Sequence, residues 1–432
     1  MSDLSRRKFL QYGAVGLAGA ALLPRGLSSD LTGPSRRAQS SSSFTYNLWS
    51  YDATSGAQTF QEMAKAYNKK AAAQVNFKIS TLAGSGATVY PSKIQSLISS
   101  GSPPDLFLDW IGTLLSPFVA EGAVQPLTGW YEKYGWDKVL VPDAVDYVTQ
   151  QGHPYEVPVG VFTMPVWYNK TLFAKAGVSA PTENYAQWEA VNNALLKIGV
   201  IPAAEAVIDG WDIMRLFEQL LEVTAGPSLH DELLELKVSW NNPAVVDAFE
   251  LLKEWGNKWV EKGALGSNPT DTGLLFTAGK AAQSVQGNWE VGNLTPAQYK
   301  DFDMFVPPKQ SGGPARLAGF AQGYAISSHV TGEALDALGA FFNWFIQPAQ
   351  ANKYFYDGQT ATLNGVPAGN ELALKAEAIT ARSGVYLVMD EALGTELADD
   401  YFVQQQGVLA GSTTPAAAAV KMQDAIGKQT KS

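Results

Sequence analysis

Phe44-Thr45-Tyr46-Asn47-Leu48-Trp49-Ser50 opens the stretch that decides the fold. Aromatic and apolar residues at this density read as a strand. Phe60, Met63, Ala64 and Tyr67 then fall at i, i+3, i+4 and i+7, which is one helical face. Gln74–Leu82 alternates through Val75, Phe77 and Ile79 and predicts a second strand. Ile94, Leu97 and Ile98 mark another helical face. After Pro103-Pro104, Asp105–Leu108 (DLFL) reads as a short buried strand, and Ile111–Glu121 as a helix. This β-α-β-α-β-α order predicts an α/β fold whose mostly parallel sheet carries helices on both faces.

The same texture continues to the end of the chain. Ala248, Leu251, Leu252 and Trp255 share a helical face, as do Leu335, Leu338, Phe341, Phe342 and Phe345. Pro415–Ile426 reads as a terminal amphipathic helix, and no short internal repeat interrupts the pattern. The 432 residues exceed one ordinary domain of about 100–200 residues, so two large lobes are expected. A hydrophobic fraction of 46% supports a sizeable core. Cysteine is absent, so packing alone must hold the fold and no N-terminal cysteine can carry a lipid.

Ahead of the first strand, Ser5-Arg6-Arg7-Lys8-Phe9-Leu10 precedes an uncharged run from Gln11 to Leu23. Paired arginines before a weakly apolar run, shorter than the ~20 residues that span a bilayer, form an export address. The six residues resemble the twin-arginine signal pattern, which exports folded proteins. Leu27–Ser43, rich in Ser, Gly, Pro and Arg, reads as a spacer, so residues 1–43 are assigned to signal and spacer.

Charge and chemistry narrow the function. The formal net charge is −10; residues 1–43 carry six basic and two acidic groups, which leaves the remainder at −14. So acidic a body argues against nucleic acid. His153, His230 and His329 are the only histidines and lie far apart, so a metal site has no support. No nucleophile elbow or Walker loop is present, and Ala83–Ala87 (AGSGA) lacks the spacing and lysine of a phosphate cradle. Nothing calls for a cofactor.

Aromatic residues beside acids or amides recur where strands and helices meet: Tyr51 with Asp52, Asp109 with Trp110, Trp211 with Asp212, Trp289 with Glu290, and Gln322 near Tyr324. Ligands of open α/β sheets bind beyond the carboxyl ends of strands. An aromatic plane covers the C–H face of a sugar while a neighbouring carboxylate or amide meets its hydroxyls, so these residues are the expected carbohydrate contacts. Trp110 and Trp289 lead the set. Trp130, Trp136, Trp188, Trp240, Trp255, Trp259 and Trp344 are assigned to packing.

Several ordered segments resemble the sugar-binding family of extracellular solute-binding proteins of bacterial ABC importers, which includes maltose-binding protein. They are Pro103-Pro104-Asp105-Leu106-Phe107, Gly122–Leu127 (GAVQPL), Trp167–Gly177 (WYNKTLFAKAG) after Val157-Pro158, Phe276–Ala282 (FTAGKAA) with Gly287-Asn288-Trp289, and Phe341–Phe345 with Gln350. The likeness runs from about Phe44 to the C-terminus. Gln283 stands where the family commonly has Met, and Trp188 falls slightly later than the usual tryptophan. The resemblance implies a two-lobed periplasmic-binding-protein fold of type II, each lobe a sheet flanked by helices. Lobe one would be residues 44–158 plus 308–364 and lobe two 159–304 plus 368–432. The chain would cross near Pro158–Phe162, Phe305–Pro307 and Gly365–Pro367. A carbohydrate would bind between the lobes of a monomer, with no bond made or broken, and the closed form would dock on an ABC permease at the outer face of the cytoplasmic membrane. A polyamine suits the same acids and aromatics and is the main alternative; a secreted glycoside hydrolase is a lesser one. Retention at the membrane would rest on an uncleaved signal helix or an outer envelope.

Overall fold

The structure, a computed structural model, describes residues 42–429 apart from 52–54, 83–85, 112–114, 181, 311–313, 355–361, 365 and 368. The twin-arginine segment, the spacer up to residue 41, Asp52 and Gly365 of the last crossing lie outside the described residues, and Ser43, assigned to the spacer, opens the first strand. Strand β1 (Ser43–Ser50) buries Tyr46 and Leu48 on one face, the two-residue period of a strand. It pairs in parallel with β2 (Gln74–Thr81) and β3 (Leu106–Ile111), and helices Ser55–Asn68 and Gly86–Ser99 make the crossovers. β3 runs three residues beyond the expected DLFL, so Asp109 and Trp110 lie within the strand rather than after it. The helix expected from Ile111 spans only Leu115–Ala120.

A two-residue ladder, β4 (Thr149–Gln150) with β5 (His153–Pro154), leads into β6 (Glu156–Thr163), which is buried throughout. The chain then builds a second sheet from β7 (Val166–Asn169), β8 (Ile201–Ala203), β9 (Ala281–Val285) and β10 (Phe302–Phe305), in the order β10-β7-β9-β8. It returns to the first sheet as β11 (Leu317–Ile326) and β12 (Val385–Leu387), giving the order β12-β11-β3-β1-β2 with β6 on the other edge of β11. β11 is antiparallel to both β3 and β6, and β7 is antiparallel to β9 and β10. Both sheets are therefore mixed rather than mostly parallel. Residue periodicity reads local alternation, and the first three strands do run parallel; the direction of a late returning strand leaves no mark in it.

The segment Trp167–Gly177 shows how sequence makes its structure here. Asn169 closes β7 and caps the next helix, its Oδ1 accepting from Leu172 N–H at 3.0 Å. Leu172 and Phe173 bury the apolar face, and Gly177, at φ 68°, ends the helix in the left-handed conformation.

Two large cores result. One packs Phe60, Phe77, Tyr324 and Phe341 against the first sheet. The other runs from Tyr90 and Trp110 on the first sheet's side to Phe217, Trp255 and Tyr401 beyond the second. Through it passes the helix Trp211–Leu234, buried on nearly every side from Asp212 to Val223. Trp211, Arg215, Glu218 and Glu222 share one face of this helix. Gly226, at φ 70°, kinks it before Pro227.

Candidate functional site

Two groups of aromatic rings lie within the second core. The first gathers Tyr51, Tyr90 and Trp110 at the carboxyl ends of β1 and β3. Tyr51 stands 5.2 Å from Trp110 and 6.1 Å from Tyr90 between ring centroids, with edges turned to faces. Tyr90 donates from its hydroxyl to the Trp49 and Leu108 carbonyls at 3.0 and 2.9 Å, which ties it to both strands.

The second group begins with Phe162 of β6 and Phe320 of β11, stacked at 5.0 Å. Trp289 lies 5.8 Å from each, and Trp211 lies 5.7 Å from Trp289 with the planes 30° apart. Two glycines permit this placement. A Cβ on Gly287 would stand 1.9 Å from the Trp289 ring, which folds back over the chain. Gly210, at φ 78°, starts the Trp211 helix where a Cβ would strike Phe402 at 2.5 Å. Trp211 Nε1 donates to Asp390 Oδ2 at 3.1 Å, which fixes that ring. Both tryptophans remain half-buried.

Polar groups beneath the second ring group are fully buried. Arg215 is ion-paired with Asp212, and its guanidinium lies 4.6 Å from the Trp211 centroid and 5.9 Å from that of Trp289. Burial pushes Asp212 up to about 6 against the pull of Arg215. Burial likewise pushes Glu290 up to about 7, although it accepts from Asn293 Nδ2 at 2.8 Å. Asp212 Oδ2, Arg215 Nε and Glu290 Oε1 make no hydrogen bond within the described protein. Buried polar atoms left open cost stability unless a ligand or water meets them.

Asp109 takes a different place. On β3 it pairs across from Gly323 of β11, while the Glu156 side chain of β6 reaches over the same glycine from the other side. A Cβ on Gly323 would stand 2.6 Å from Glu156 Oε2, so the bare glycine makes room for two carboxyls. Burial raises both, and the charge and hydrogen bond of Asp109 raise Glu156 further, whereas the bond from Glu156 draws Asp109 back down. Glu391, also buried, is pushed well up by burial and by the neighbouring carboxyls Asp390, Asp109 and Glu156.

The structure thus brings Trp211, Asp212, Trp289 and Glu290 together, and Tyr51 with Trp110. Gln322 pairs with Trp110 across β11 and β3 and is half-buried. Tyr324 leaves the set: it is buried in the other core, 4.8 Å from Phe60. A β-bulge between Gln322 and Gly323 shifts the β6 pairing there. Sequence reading missed Arg215, although its i+4 spacing from Trp211 and i+3 from Asp212 on one helix was visible. It also missed Tyr90, Phe162 and Phe320, which only long-range pairing delivers. Trp136, Trp188, Trp240, Trp255 and Trp259 are buried packing residues, as expected. Among the described residues no cluster of three His, Asp or Glu could hold a metal ion.

The sequence model of the bacterial extracellular solute-binding proteins matches residues 53–352. An ABC transporter extracellular-binding protein of Pyrococcus horikoshii is 26% identical over 267 residues, covering 59% of this chain and 57% of that protein. The xylose/arabinose-binding protein XacG of Haloferax volcanii is 27% identical over 202 residues, covering 45% and 42%. The chain thus spans about half the length of these relatives. Among solved structures, a chitin oligosaccharide binding protein superposes with a TM-score of 0.78 at 22% identity, covering 88% of this chain and 98% of that one. That likeness establishes the α/β binding-protein fold.

Proposed function

The chain belongs to the bacterial extracellular solute-binding protein family, and from that premise we propose that it binds a neutral mono- or oligosaccharide and hands it to an ABC permease. The observation that carries this reading is the Trp211–Trp289 pair set over buried polar atoms that lack partners. Indole faces cover the C–H faces of a sugar, while Asp212 Oδ2, Glu290 Oε1 and Arg215 Nε meet hydroxyls that both donate and accept. Relatives described as binding xylose/arabinose, maltotriose and diacetylchitobiose support the ligand class.

In this reading the two sheets are the cores of two lobes, residues 44–158 plus 308–364 and 159–304 plus 368–432, with β12 (Val385–Leu387) of the second range returning to the edge of the first lobe's sheet. β6 and β11 form the wrist between them. Tyr51, Trp110 and Gln322 face the ligand from one lobe, and Trp211, Asp212, Trp289 and Glu290 from the other. Ligand contacts to both lobes favour the closed form, and the chain performs no bond chemistry. The Arg6-Arg7 pair supports export of the folded protein by the twin-arginine route to the outer face of the membrane.

A thermal-shift screen of pentoses, hexoses, their oligomers and polyamines tests this reading. A ligand that binds only the folded state, present at 100 times its Kd, stabilises by about 2.7 kcal/mol. A neutral sugar is expected to raise Tm and to be recovered unchanged. A shift with polyamines alone, or release of hydrolysis products, would overturn the proposal.

A further inference from the structure

Aromatic faces beside carboxylates suit two ligand chemistries equally: a neutral polyol, or an ammonium that sits on the ring faces with carboxylates around it. Arg215 separates them. Its guanidinium is already seated on the Trp211 face and near that of Trp289, at 4.6 and 5.9 Å. It is ion-paired with Asp212, and its charge also acts on Glu205 and Glu290. The side chain is 1% exposed, so solvent does not screen it.

We propose that Arg215 is a specificity-determining residue that makes this cleft refuse cationic ligands, polyamines and amino sugars alike, and accept their neutral counterparts. The inference rests on the carbohydrate reading of the Trp211–Trp289 site. An incoming ammonium would find its place on the indoles taken by a fixed like charge, in surroundings that magnify repulsion. An arginine, unlike a lysine, does not escape such a conflict by losing its proton. An anion fares no better, because Asp212 and Glu290 stand beside the guanidinium. A hydroxyl fits: it accepts from Arg215 Nε and donates to Asp212 Oδ2 or Glu290 Oε1, atoms that otherwise make no hydrogen bond.

Titration calorimetry on the exported chain tests this. The probes are the neutral sugar found by the screen, its 2-amino-2-deoxy analogue and spermidine. Wild type is expected to bind the neutral sugar at least tenfold more tightly than either cation. Arg215→Met, which keeps the side chain's length and loses its charge, is expected to narrow that ratio at least tenfold, chiefly by gaining affinity for the cations. Arg215→Lys, which can shed its proton, is expected to narrow the ratio less than Arg215→Met does, and circular dichroism checks the fold of both variants. An unchanged ratio in folded Arg215→Met overturns the proposal and leaves carbohydrate binding standing. If that variant does not fold, wild type still decides, since equal affinity for the sugar and its amino analogue overturns the inference. A wild type that ignores every sugar removes the carbohydrate reading and this inference with it.

Discussion

Glu218 and Glu222 stand one turn apart on the same face of one helix, both fully buried, and the protein treats them in opposite ways. Glu222 receives Arg316 in a fork, Nε at 2.9 Å and Nη2 at 3.1 Å, with His230 Nδ1 at 3.0 Å. Burial alone would raise its pKa, but these bonds hold it down at about 2. Glu218 accepts from the Met389 backbone and otherwise faces Asp390, so burial and like charge push it well up. Its neighbourhood continues through Asp390 and Glu391 to Asp109 and Glu156 on the strands that flank β11, the proposed wrist. Burial therefore does not set charge here; the partner does. The Arg316 clasp is ionised and rigid, whereas the wrist carboxyls are buried as acids.

Removing a partner should break this comparison most visibly. Glu222→Gln leaves Arg316 with only the half-exposed Asp231 and the Pro227 carbonyl. Uncovering a buried charge in this way costs about 3–5 kcal/mol, read as a shift in the midpoint of urea unfolding. Glu218→Gln replaces a protonated acid with a near isostere and should cost about 1 kcal/mol or less. Equal losses in the two variants would show that position on the helix, not partnership, decides the outcome.

The wrist should respond next. Gly323→Ala pushes a methyl into Glu156 and parts the two carboxyls, an overpacking cost of about 1–3 kcal/mol. An unchanged unfolding midpoint would mean that the pair moves aside freely. The pH limbs then separate the two regions. Asp109 is raised from 3.8 to about 8, so its contribution is intact below the ordinary carboxylate range, erodes as pH rises, and is gone above about 8. Glu222 is lowered from 4.5 to about 2, so its contribution is intact above 4.5 and is lost as pH falls through 2. Stability should therefore fall as pH rises from 7 to 8, and Asp109→Asn should lessen that fall while leaving the acid limb unchanged. Parallel losses in wild type and variant would place the titrating group elsewhere.

Much of the scaffold was legible because it is written locally. The helical faces at Phe60–Tyr67 and Ala248–Trp255 and the strands at Phe44 and Gln74 follow from periodicity. The aromatic-plus-acid pairs after glycines at Trp211 and Trp289, which the fold brings together, were visible in the sequence. What stayed hidden depends on which distant strands meet. Tyr324 looked equivalent to Gln322, two residues away, until the bulge and β3 pairing placed it against Phe60. Asp109 looked like a hydroxyl acceptor, but Glu156 shares its glycine only because β11 returns between β3 and β6. Arg215 lay within reach of sequence reading. Its spacing was plain, yet nothing local said that the helix is buried on nearly every side, and burial is what turns an ordinary ion pair into a ligand filter.

Lys133 and Asp336 sharpen the comparison from the other end, as partners without burial. Their charged groups stand 3.2 Å apart, against 2.9 and 3.1 Å in the Arg316 clasp, but the side chains are 53% and 71% exposed. Water screens the attraction, and both flexible side chains lose freedom to hold it. Lys133→Ala should therefore cost about 0.5 kcal/mol or less, near the limit of what urea unfolding resolves, and the loss should shrink further in 1 M salt. Glu222→Gln measured beside it should be almost insensitive to salt, because the clasp lies where ions do not reach. If Lys133→Ala instead cost as much as Glu222→Gln, distance between charges would be the governing variable. The expected gap, several-fold at nearly equal distance, assigns that role to the combination of partner and burial.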